Sequence, residues 1–304
     1  MSSSLPAASA NASTSALVAA SGRSVGEPFR ASLGKPPVPR LPWGWGHEGQ
    51  SDVFEVPPLE VARQMTLLDF ALFVRIPLNE LHGRGWLENG GASCPRLMAA
   101  IALFNNFSRA LSTAVLASPT VAERAAQVAW WLRVVEALVQ LRNYSSAVSL
   151  MAGLAASPVH RLRRTWEALR THHGAEAALH GQLEALTASA ANWSGLRSAL
   201  RSVQPPCVPY MGVYCSDLTF CDQGNPSRLK PHGLVNWDKA RMEAGIIREV
   251  NLFQLTAYKL EPVTLVQELL LGLDRRDDDD LYARSLAREP RPQPAAAVRP
   301  DEES

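Results

Sequence analysis

The residue types most often used in metal sites are spread along this chain of 304 residues without a ligand pattern. Its four cysteines form no closely spaced pair of the kind that binds zinc, and its seven histidines supply no partners at ligand spacing. His172 and His173 are adjacent near a predicted helix end, where neighbouring side chains point in different directions, which favours a solvated surface. The acidic run Asp277–Asp280 would suit a cation, but such runs more often form a solvated linker or a helix N-terminus. We therefore predict no metal and no cofactor.

The sequence also lacks the patterns of covalent catalysis. A catalytic site needs a nucleophile beside a base, a pair of carboxylates in a pocket or a cradle for phosphate. The chain contains neither a glycine-rich phosphate loop ending in Lys-Ser or Lys-Thr nor a Gly-x-Ser-x-Gly turn. Trp130 and Trp131 would form a stacking platform only if they faced the same way, and adjacent residues of a helix face apart. We therefore expect a protein that is not a conventional hydrolase or transferase.

Charge and hydropathy exclude further classes of protein. With 30 basic and 29 acidic residues the formal net charge is +1, so no overall basic field attracts nucleic acid or an anionic membrane. The longest apolar runs, such as Leu265–Leu273, are interrupted by polar residues and fall short of a membrane span. Few cysteines without a pairing pattern fit a reducing compartment, and we predict a cytoplasmic protein.

The elements that would position any site are helical. Apolar residues from Val121 to Val139 recur at alternating spacings of four and three, which is the stripe of a buried amphipathic helix. Thr120 and Glu123 have the spacing of a capping box at its start. Residues 236–253 repeat the apolar pattern, and Pro262 suits the first turn of a further helix. Alternating β-branched runs are scarce, so the pattern predicts an all-α domain of about ten helices.

The two ends of the chain differ from the middle in composition. Residues 1–53 are rich in Ser, Ala and Pro, which cannot bury a core, and residues 292–304 form a similar tail. We predict that both ends are disordered and that residues 54–291 form one folded domain.

The most unusual segment of the chain is Pro205–Pro226. Two prolines end the preceding helix, and the pattern predicts a helix over 211–223 that closes at Gly224 in the left-handed conformation. The next helix begins near Asn236, after a loop of about ten residues. Such a pair either forms a hairpin that protrudes from the domain or packs as two ordinary helices.

This segment and the blocks around it resemble the catalytic domain of Ras-family guanine-nucleotide exchange factors. The likeness is carried by PPCVPYMGVYCSDLTFCDQGNP and by LVNWDKARMEAGIIREVNLFQ, which follows it. It extends back through PPLEVARQMTLLDFALFVRI, HGRGW, FNNFS, LRNYSSAVSLMAGLAASPVHRLRRTWE and ANWSGLRSALRS. It continues to LYARSLAREPR, which is similar to the end of such domains in fungal and protist exchange factors. The ordered blocks cover about residues 57–291 and imply a large all-α domain with a protruding helical hairpin.

The resemblance implies a regulator that makes and breaks no covalent bond. Such proteins grip a small GTPase through its switch regions, and the hairpin opens the nucleotide and Mg²⁺ site. A partner that binds the nucleotide-free GTPase more tightly must weaken nucleotide binding by the same factor. The implied partner is a GTPase of the Ras, Rap or Ral type, without nucleic acid. The implied place of action is the membrane surface where the GTPase is anchored, and recruitment would occur through other proteins.

The family's functional positions carry over one residue at a time. Thr219 matches the position that faces the Mg²⁺ site, and Gln223 matches a position, often Glu, that competes with phosphate. Together they form the expected wedge at the end of the hairpin helix. The remaining matched positions lie on the GTPase-facing side, and for Trp86, His160 and Trp193 a packing role is at least as strong an expectation. The expected GTPase-binding residues are Trp86, Asn105, His160, Trp193, Leu218, Phe220, Asp222 and Lys239.

Three positions depart from the family pattern. Gln223 keeps the length and an acceptor oxygen of Glu but lacks its charge. Ala155 stands where the family usually has Asn, and Ala102 stands where a basic residue is common. These changes leave open a scaffold that binds a GTPase or an adaptor without catalysing exchange. The N-terminal helical module that braces the hairpin in many relatives has no counterpart in residues 1–53. We expect either that the hairpin is supported within the domain itself or that the chain is a fragment or a short gene product.

Overall fold

The computed structural model describes residues 36–42, 45 and 52–291, and within them the chain is helical almost throughout. The α-helices are α1 (Pro58–Phe73), α2 (Pro95–Ala117), α3 (Val121–Gln140), α4 (Tyr144–Ala155), α5 (Ser157–His160), α6 (Arg163–His172), α7 (Gly174–Thr187), α8 (Ala190–Ser202), α9 (Met211–Gly224), α10 (Trp237–Gln254), α11 (Thr264–Gly272) and α12 (Asp278–Arg288). Short 3-10 turns lie at Val53–Glu55, Leu78–Leu81, Gly85–Leu87 and Asn89–Gly91. The all-α prediction is confirmed.

One small sheet interrupts the helices in the described part of the chain. Its strands β1 (Arg228–Leu229) and β2 (Leu234–Val235) pair antiparallel between α9 and α10, with Arg228 opposite Val235. Among the described residues, no helix combines the length and the apolar character that a membrane crossing requires.

The centre of the first hydrophobic core is α3, as its apolar stripe predicts. Val128, Leu132 and Val135 are fully buried, and the capping box between Thr120 and Glu123 is present at the start of the helix. Trp131 is buried beside them. This core packs α1, α2 and α4 around α3, so the middle of the sequence forms the rigid body of the domain.

A close helix crossing joins α2 to α4 at Gly153. A Cβ atom at this position would lie 2.5 Å from the Ser108 carbonyl oxygen, which is a backbone atom of α2. The hydroxyl of Ser112 donates to the Gly153 carbonyl at 2.9 Å, and Leu111 and Leu150 are fully buried beside the crossing. The absence of a side chain at Gly153 is therefore what lets the two backbones approach.

A buried charge cluster closes the end of the domain. Arg124 is 1% exposed; its Nε donates to the Thr165 hydroxyl at 3.0 Å, and its Nη2 lies 3.5 Å from Oε1 of Glu289. The Glu289 carboxylate also accepts hydrogen bonds from the backbone N–H groups of Arg164 and Thr165, each at 3.0 Å. A negative charge is stabilised at a helix N-terminus, so Glu289 caps α6 from more than a hundred residues away.

A second buried carboxylate joins α1 to the start of α4. Asp69 accepts hydrogen bonds from the Ser146 hydroxyl at 2.5 Å and from Nδ2 of Asn143 at 2.8 Å. Asn143 is also the N-cap of α4, because its Oδ1 accepts from the Ser146 backbone N–H at 3.1 Å. Burial raises the pKa of Asp69 to about 6, against the effect of these hydrogen bonds.

Two helix ends differ from the sequence predictions. We predicted a left-handed Gly224 as the cap of α9, but the helix includes Gly224, and Nδ2 of Asn225 donates to the Cys221 carbonyl at 3.0 Å. We also predicted Pro262 in the first turn of a helix, but α11 begins at Thr264. Buried Gln64 binds the segment before α11: it donates to the Glu261 carbonyl and accepts from the Val263 N–H, each at 2.9 Å.

The predicted disordered ends lie mostly outside the described residues. Leu41 and Trp45, which belong to the N-terminal segment, pack against the first core. The Arg40 N–H donates weakly to Glu60 of α1 at 3.4 Å. The run Asp277–Asp280 begins α12, with Asp277 as the N-cap, in agreement with the macrodipole interpretation.

Candidate functional site

The predicted pair of helices forms a hairpin of α9 and α10, closed by the β1–β2 ribbon. Asn236 caps α10 by accepting from the Lys239 N–H at 3.2 Å, and its Nδ2 donates to the Pro226 carbonyl at 3.0 Å. Leu218 of α9 and Val250 and Phe253 of α10 are buried in a second core that also includes the end of α1. One side of the hairpin is therefore held by apolar packing, and the other side faces solvent.

Polar contacts also fix the base of the hairpin, which is the part farther from the β1–β2 ribbon. The Tyr214 hydroxyl donates to Oε1 of Glu249 at 2.9 Å, which joins α9 to α10. Burial is the main cause that raises the pKa of Tyr214 above its ordinary value, and the negative charge of Glu249 adds to this effect. Arg197 of α8 donates to both carboxylate oxygens of Asp217, at 2.7 and 2.6 Å. Gln254 donates to the Phe73 carbonyl at the end of α1, at 2.8 Å. These contacts join both helices to the body of the domain.

The end of the hairpin next to the β1–β2 ribbon contains a cluster of charged side chains around Asp222. Lys239 of α10 donates from Nζ to Oδ1 of Asp222 at 2.5 Å, and Nε of Arg84 lies 2.7 Å from Oδ2. The hydrogen bond from Lys239 is the main cause that lowers the pKa of Asp222. His82 Nδ1 lies 3.5 Å from Glu243 of α10. Two residues of the 82–84 segment therefore reach the hairpin, one to each helix.

The exposed side chains near the tip are unusually apolar. Phe220 on α9 is 63% exposed and Trp237 at the start of α10 is 69% exposed. The ribbon adds Leu229, Leu234 and Val235, all exposed. Exposed apolar side chains gathered at one end of the hairpin are typical of a surface for contact with another protein.

The predicted wedge residues lie on the last turns of α9. Gln223 is exposed. Thr219 is half-buried, and its hydroxyl donates to the Cys215 carbonyl of the same helix at 2.7 Å. The hydroxyl proton of Thr219 is thus used within α9, and Gln223 presents a free amide.

The other predicted contact residues divide into exposed and buried groups. Asn105 on α2 and His160 at the end of α5 are exposed, and Trp193 on α8 is half-buried. Trp86 and Leu218 are buried in the second core, so in the free chain these two side chains serve packing. The predicted contact residues Asp222 and Lys239 bind each other, and the Lys239 side chain is nearly enclosed.

A groove of about 820 Å³ brings three of the singled-out positions together. It is lined by Ala155, His160 and Trp193, among other side chains of α4–α8. Within it the rings of Trp166 and His180 lie 4.8 Å apart, and burial lowers the pKa of His180.

A row of aromatic rings connects this groove to the base of the hairpin. Tyr210, the N-cap of α9, stacks on Phe104 of α2 at 5.2 Å and contacts Trp193 at 5.0 Å. Asn105 follows Phe104 directly in α2. The helix that carries Asn105, the groove and the hairpin are therefore held in one rigid arrangement.

The sequence analysis did not single out Arg84 or Trp237. Gly83 and Gly85 around Arg84 signal a sharp turn, and both Gly83 and Arg84 have left-handed φ angles, of 76° and 58°. The ion pair with Asp222 spans most of the domain in sequence, so no local pattern reveals it. Trp237 gave one usable signal, since a tryptophan among polar residues at a helix start is either a core anchor or a contact residue.

Comparison with known proteins finds a matching domain family and similar proteins. The RasGEF domain family matches residues 60–241. "Ras guanine nucleotide exchange factor J" of Dictyostelium discoideum is 34% identical over 265 residues, which cover 86% of this chain and 32% of that protein. "Ras-specific guanine nucleotide-releasing factor 1" of Rattus norvegicus is 35% identical over 235 residues, 77% of this chain and 19% of that protein. The chain thus spans about a third or less of the length of these curated relatives.

Proposed function

Because this chain belongs to the RasGEF domain family, we propose that it is a guanine-nucleotide exchange factor for a Ras-type small GTPase. The observation that carries the proposal is the α9–α10 hairpin, which is packed on the second core and has exposed Phe220 and Gln223 near its tip. It lies largely within the segment that matches the family. The protein would regulate its partner through binding energy, without covalent chemistry.

The proposed mechanism is displacement of nucleotide by the end of α9. A GTPase holds its nucleotide through Mg²⁺ and through contacts to the phosphates. The C-terminal end of a helix carries a partial negative charge from its free carbonyl groups, and it therefore repels phosphate and favours cations. In the proposed complex the last two turns of α9, with Thr219 and Gln223, occupy the Mg²⁺ and phosphate site. Nucleotide release then follows from shape and polarity.

The groove beside the hairpin supplies the second contact in this proposal. His160 and Trp193 line it, and the ring row through Tyr210 fixes its position relative to α9. A GTPase bound there by its switch region would be held at a set distance from the hairpin. We place this action at the membrane surface where the GTPase is anchored, with a Ras, Rap or Ral type as the partner.

A second candidate is a scaffold that binds a small GTPase without exchange. The observation that favours it is the neutral character of two exposed positions: Gln223 on the hairpin and Ala155 beside the groove. Neither side chain offers a charge to compete with phosphate or to bind a switch region.

Release of a fluorescent guanine nucleotide from Ras, Rap and Ral type GTPases tests the proposal with the full chain. Wild type is expected to accelerate release from at least one GTPase by orders of magnitude. Thr219→Ala with Gln223→Ala should lower that rate at least tenfold, whereas Gln182→Ala, an exposed position on α7, serves as the matched control. A stable complex with no acceleration would support the scaffold, and absence of both would contradict the family assignment of function.

A further inference from the structure

The turn before Trp86 contacts the hairpin close to its proposed working end. Nε of Arg84 lies 2.7 Å from Oδ2 of Asp222, which directly precedes Gln223 in the last turn of α9. We infer that Arg84 and Asp222 are positioning residues for exchange: they hold the end of α9 at the angle from which it enters a GTPase. This inference rests on the proposed exchange function.

The Asp222 carboxylate has both of its oxygens engaged within the protein. Oδ1 accepts a hydrogen bond from Nζ of Lys239 at 2.5 Å, whereas Oδ2 and Nε of Arg84 form an ion pair at 2.7 Å without hydrogen-bond geometry. Lys239 also donates to the Ser227 hydroxyl at 2.9 Å, so it joins α9, α10 and the loop that leads into the ribbon. Lys239 therefore fixes the hairpin internally, and Arg84 ties the same carboxylate to a segment outside the hairpin.

Arg84 is held by rigid neighbours. Trp86, two residues on, is buried in the second core, and the Cα of Gly85 is packed so closely that a Cβ there would lie 2.8 Å from Sγ of Cys94. The backbone of Arg84 is left-handed, with φ of 58°, a conformation that a non-glycine residue adopts at a cost and keeps only where its surroundings fix it. His82, two residues before, lies 3.5 Å from Glu243 of α10.

Because the contact between Arg84 and Asp222 lies near the end of α9, it restricts tilting of that end of the helix. Helix α9 is held by an ion pair and core packing as far as Asp217 and Leu218, and Asp222 lies about 6 Å beyond Leu218 at 1.5 Å per residue. A tilt of about 10° of this last stretch about Leu218 would move Asp222 by about 1 Å, and misplacement on this scale lowers the rate of a positioned reaction. A contact near the far end resists tilting better than the contacts near the base.

The expected effect is moderate, because both partners of the ion pair are partly exposed. Their side chains are 29% and 28% exposed, and pairs of this kind favour one geometry only weakly. Arg84→Ala should therefore lower the maximal rate of nucleotide release by about threefold to fivefold. The concentration that gives half of the maximal rate should change little, since the GTPase-facing surface is intact.

A double-mutant cycle separates this role from direct contact of Asp222 with the GTPase. Arg84→Ala, Asp222→Asn and their combination are compared with wild type in the nucleotide-release assay. A positioning pair predicts a loss in Asp222→Asn at least as large as that in Arg84→Ala, because Asp222 also binds Lys239, and no further loss in the combination. Arg84→Lys should recover part of the rate. Arg241→Ala is the control, because Arg241 pairs only weakly with Asp238 of its own helix, at 3.8 Å.

Hydrogen exchange in the free chain provides a readout that is independent of activity. Arg84→Ala should speed amide exchange over residues 218–224 and leave the buried helix α3 unchanged. Loss of rate in Asp222→Asn alone, with a raised half-maximal concentration, would overturn the inference and make Asp222 a GTPase contact. Normal rates and unchanged exchange in Arg84→Ala would overturn it as well. If wild type is inactive on every GTPase, the proposed function fails and the inference falls with it, while amide exchange still decides whether Arg84 holds α9 in place.

Discussion

Substitution of Gly153 by alanine tests the close crossing of α2 and α4. In a typical helix this change would stabilise the protein by about 1 kcal/mol, because glycine is the poorer helix former. Here the new methyl group would lie 2.5 Å from the Ser108 carbonyl oxygen and 3.3 Å from two further backbone atoms of Ser108. Backbone cannot rotate away as a side chain does, so the helices must separate by about 0.9 Å to restore ordinary contact.

The magnitude follows from what the separation disrupts. Overpacking of a core costs about 1–3 kcal/mol, and the stretched hydrogen bond from Ser112 to the Gly153 carbonyl costs about 1 kcal/mol more. The helix preference of alanine offsets about 1 kcal/mol of this loss. We expect Gly153→Ala to lower the free energy of unfolding by about 1–3 kcal/mol. The rate of nucleotide release should also fall, because α2 carries Asn105 and α4 carries Ala155, which are both at the proposed GTPase contact.

Gly181 of α7 provides the matched control. A Cβ at Gly181 would meet nothing within 4 Å, so the same substitution should stabilise the protein by up to about 1 kcal/mol. Urea unfolding followed by circular dichroism measures both variants. The two substitutions are expected to change stability in opposite directions. Equal stabilisation by both would refute the reasoning, because it would show that α2 and α4 separate without cost.

Three further predictions concern buried charges and the wedge. Arg124→Ala should lower the free energy of unfolding by about 3–5 kcal/mol, because it leaves the Glu289 carboxylate buried without its partner. Thermal denaturation checks this, and Glu289→Gln in the same chain should restore part of the loss. Burial raises the pKa of Asp69 to about 6, so the neutral acid is favoured in the folded state. The stabilising contribution of the Asp69 carboxyl is fully present below pH 4, and it decreases by up to about 3 kcal/mol as the pH rises through 6. The free energy of unfolding of wild type should therefore fall relative to that of Asp69→Asn between pH 4 and 7. Parallel pH curves for the two proteins would contradict this prediction. Gln223→Glu should raise the rate of nucleotide release severalfold if a carboxylate competes with phosphate, and an equal or lower rate would exclude that role.

Much of the fold is predictable from local patterns. The apolar stripe and the capping box locate α3, and Asn236 locates the start of α10, because both signals act within one turn of the residues that carry them. The end of α9 was not predictable in the same way. Asn225 satisfies a carbonyl there with its side chain, and glycine was assumed to be needed for that purpose.

The resemblance predicts where the candidate site lies, but it does not predict the contacts within it. Resemblance located the hairpin, Thr219 and Gln223, and those assignments stay predictions. It gave no indication that Lys239 is nearly enclosed or that Asp222 faces Arg84, because those contacts depend on how distant segments pack. Sequence patterns report on neighbours within a helix, whereas the charge cluster depends on residues brought together by the whole fold.

The contact between Glu289 and the start of α6 limits how far the domain can be shortened at its C-terminal end. The family match ends at residue 241, inside α10, yet the carboxylate that neutralises buried Arg124 lies 48 residues later. A polypeptide trimmed at the end of the match would lose most of α10 and leave the buried Arg124 without its carboxylate partner. An ion pair, and not the boundary of the family match, thus sets the shortest folded piece of this chain, which extends through Glu289.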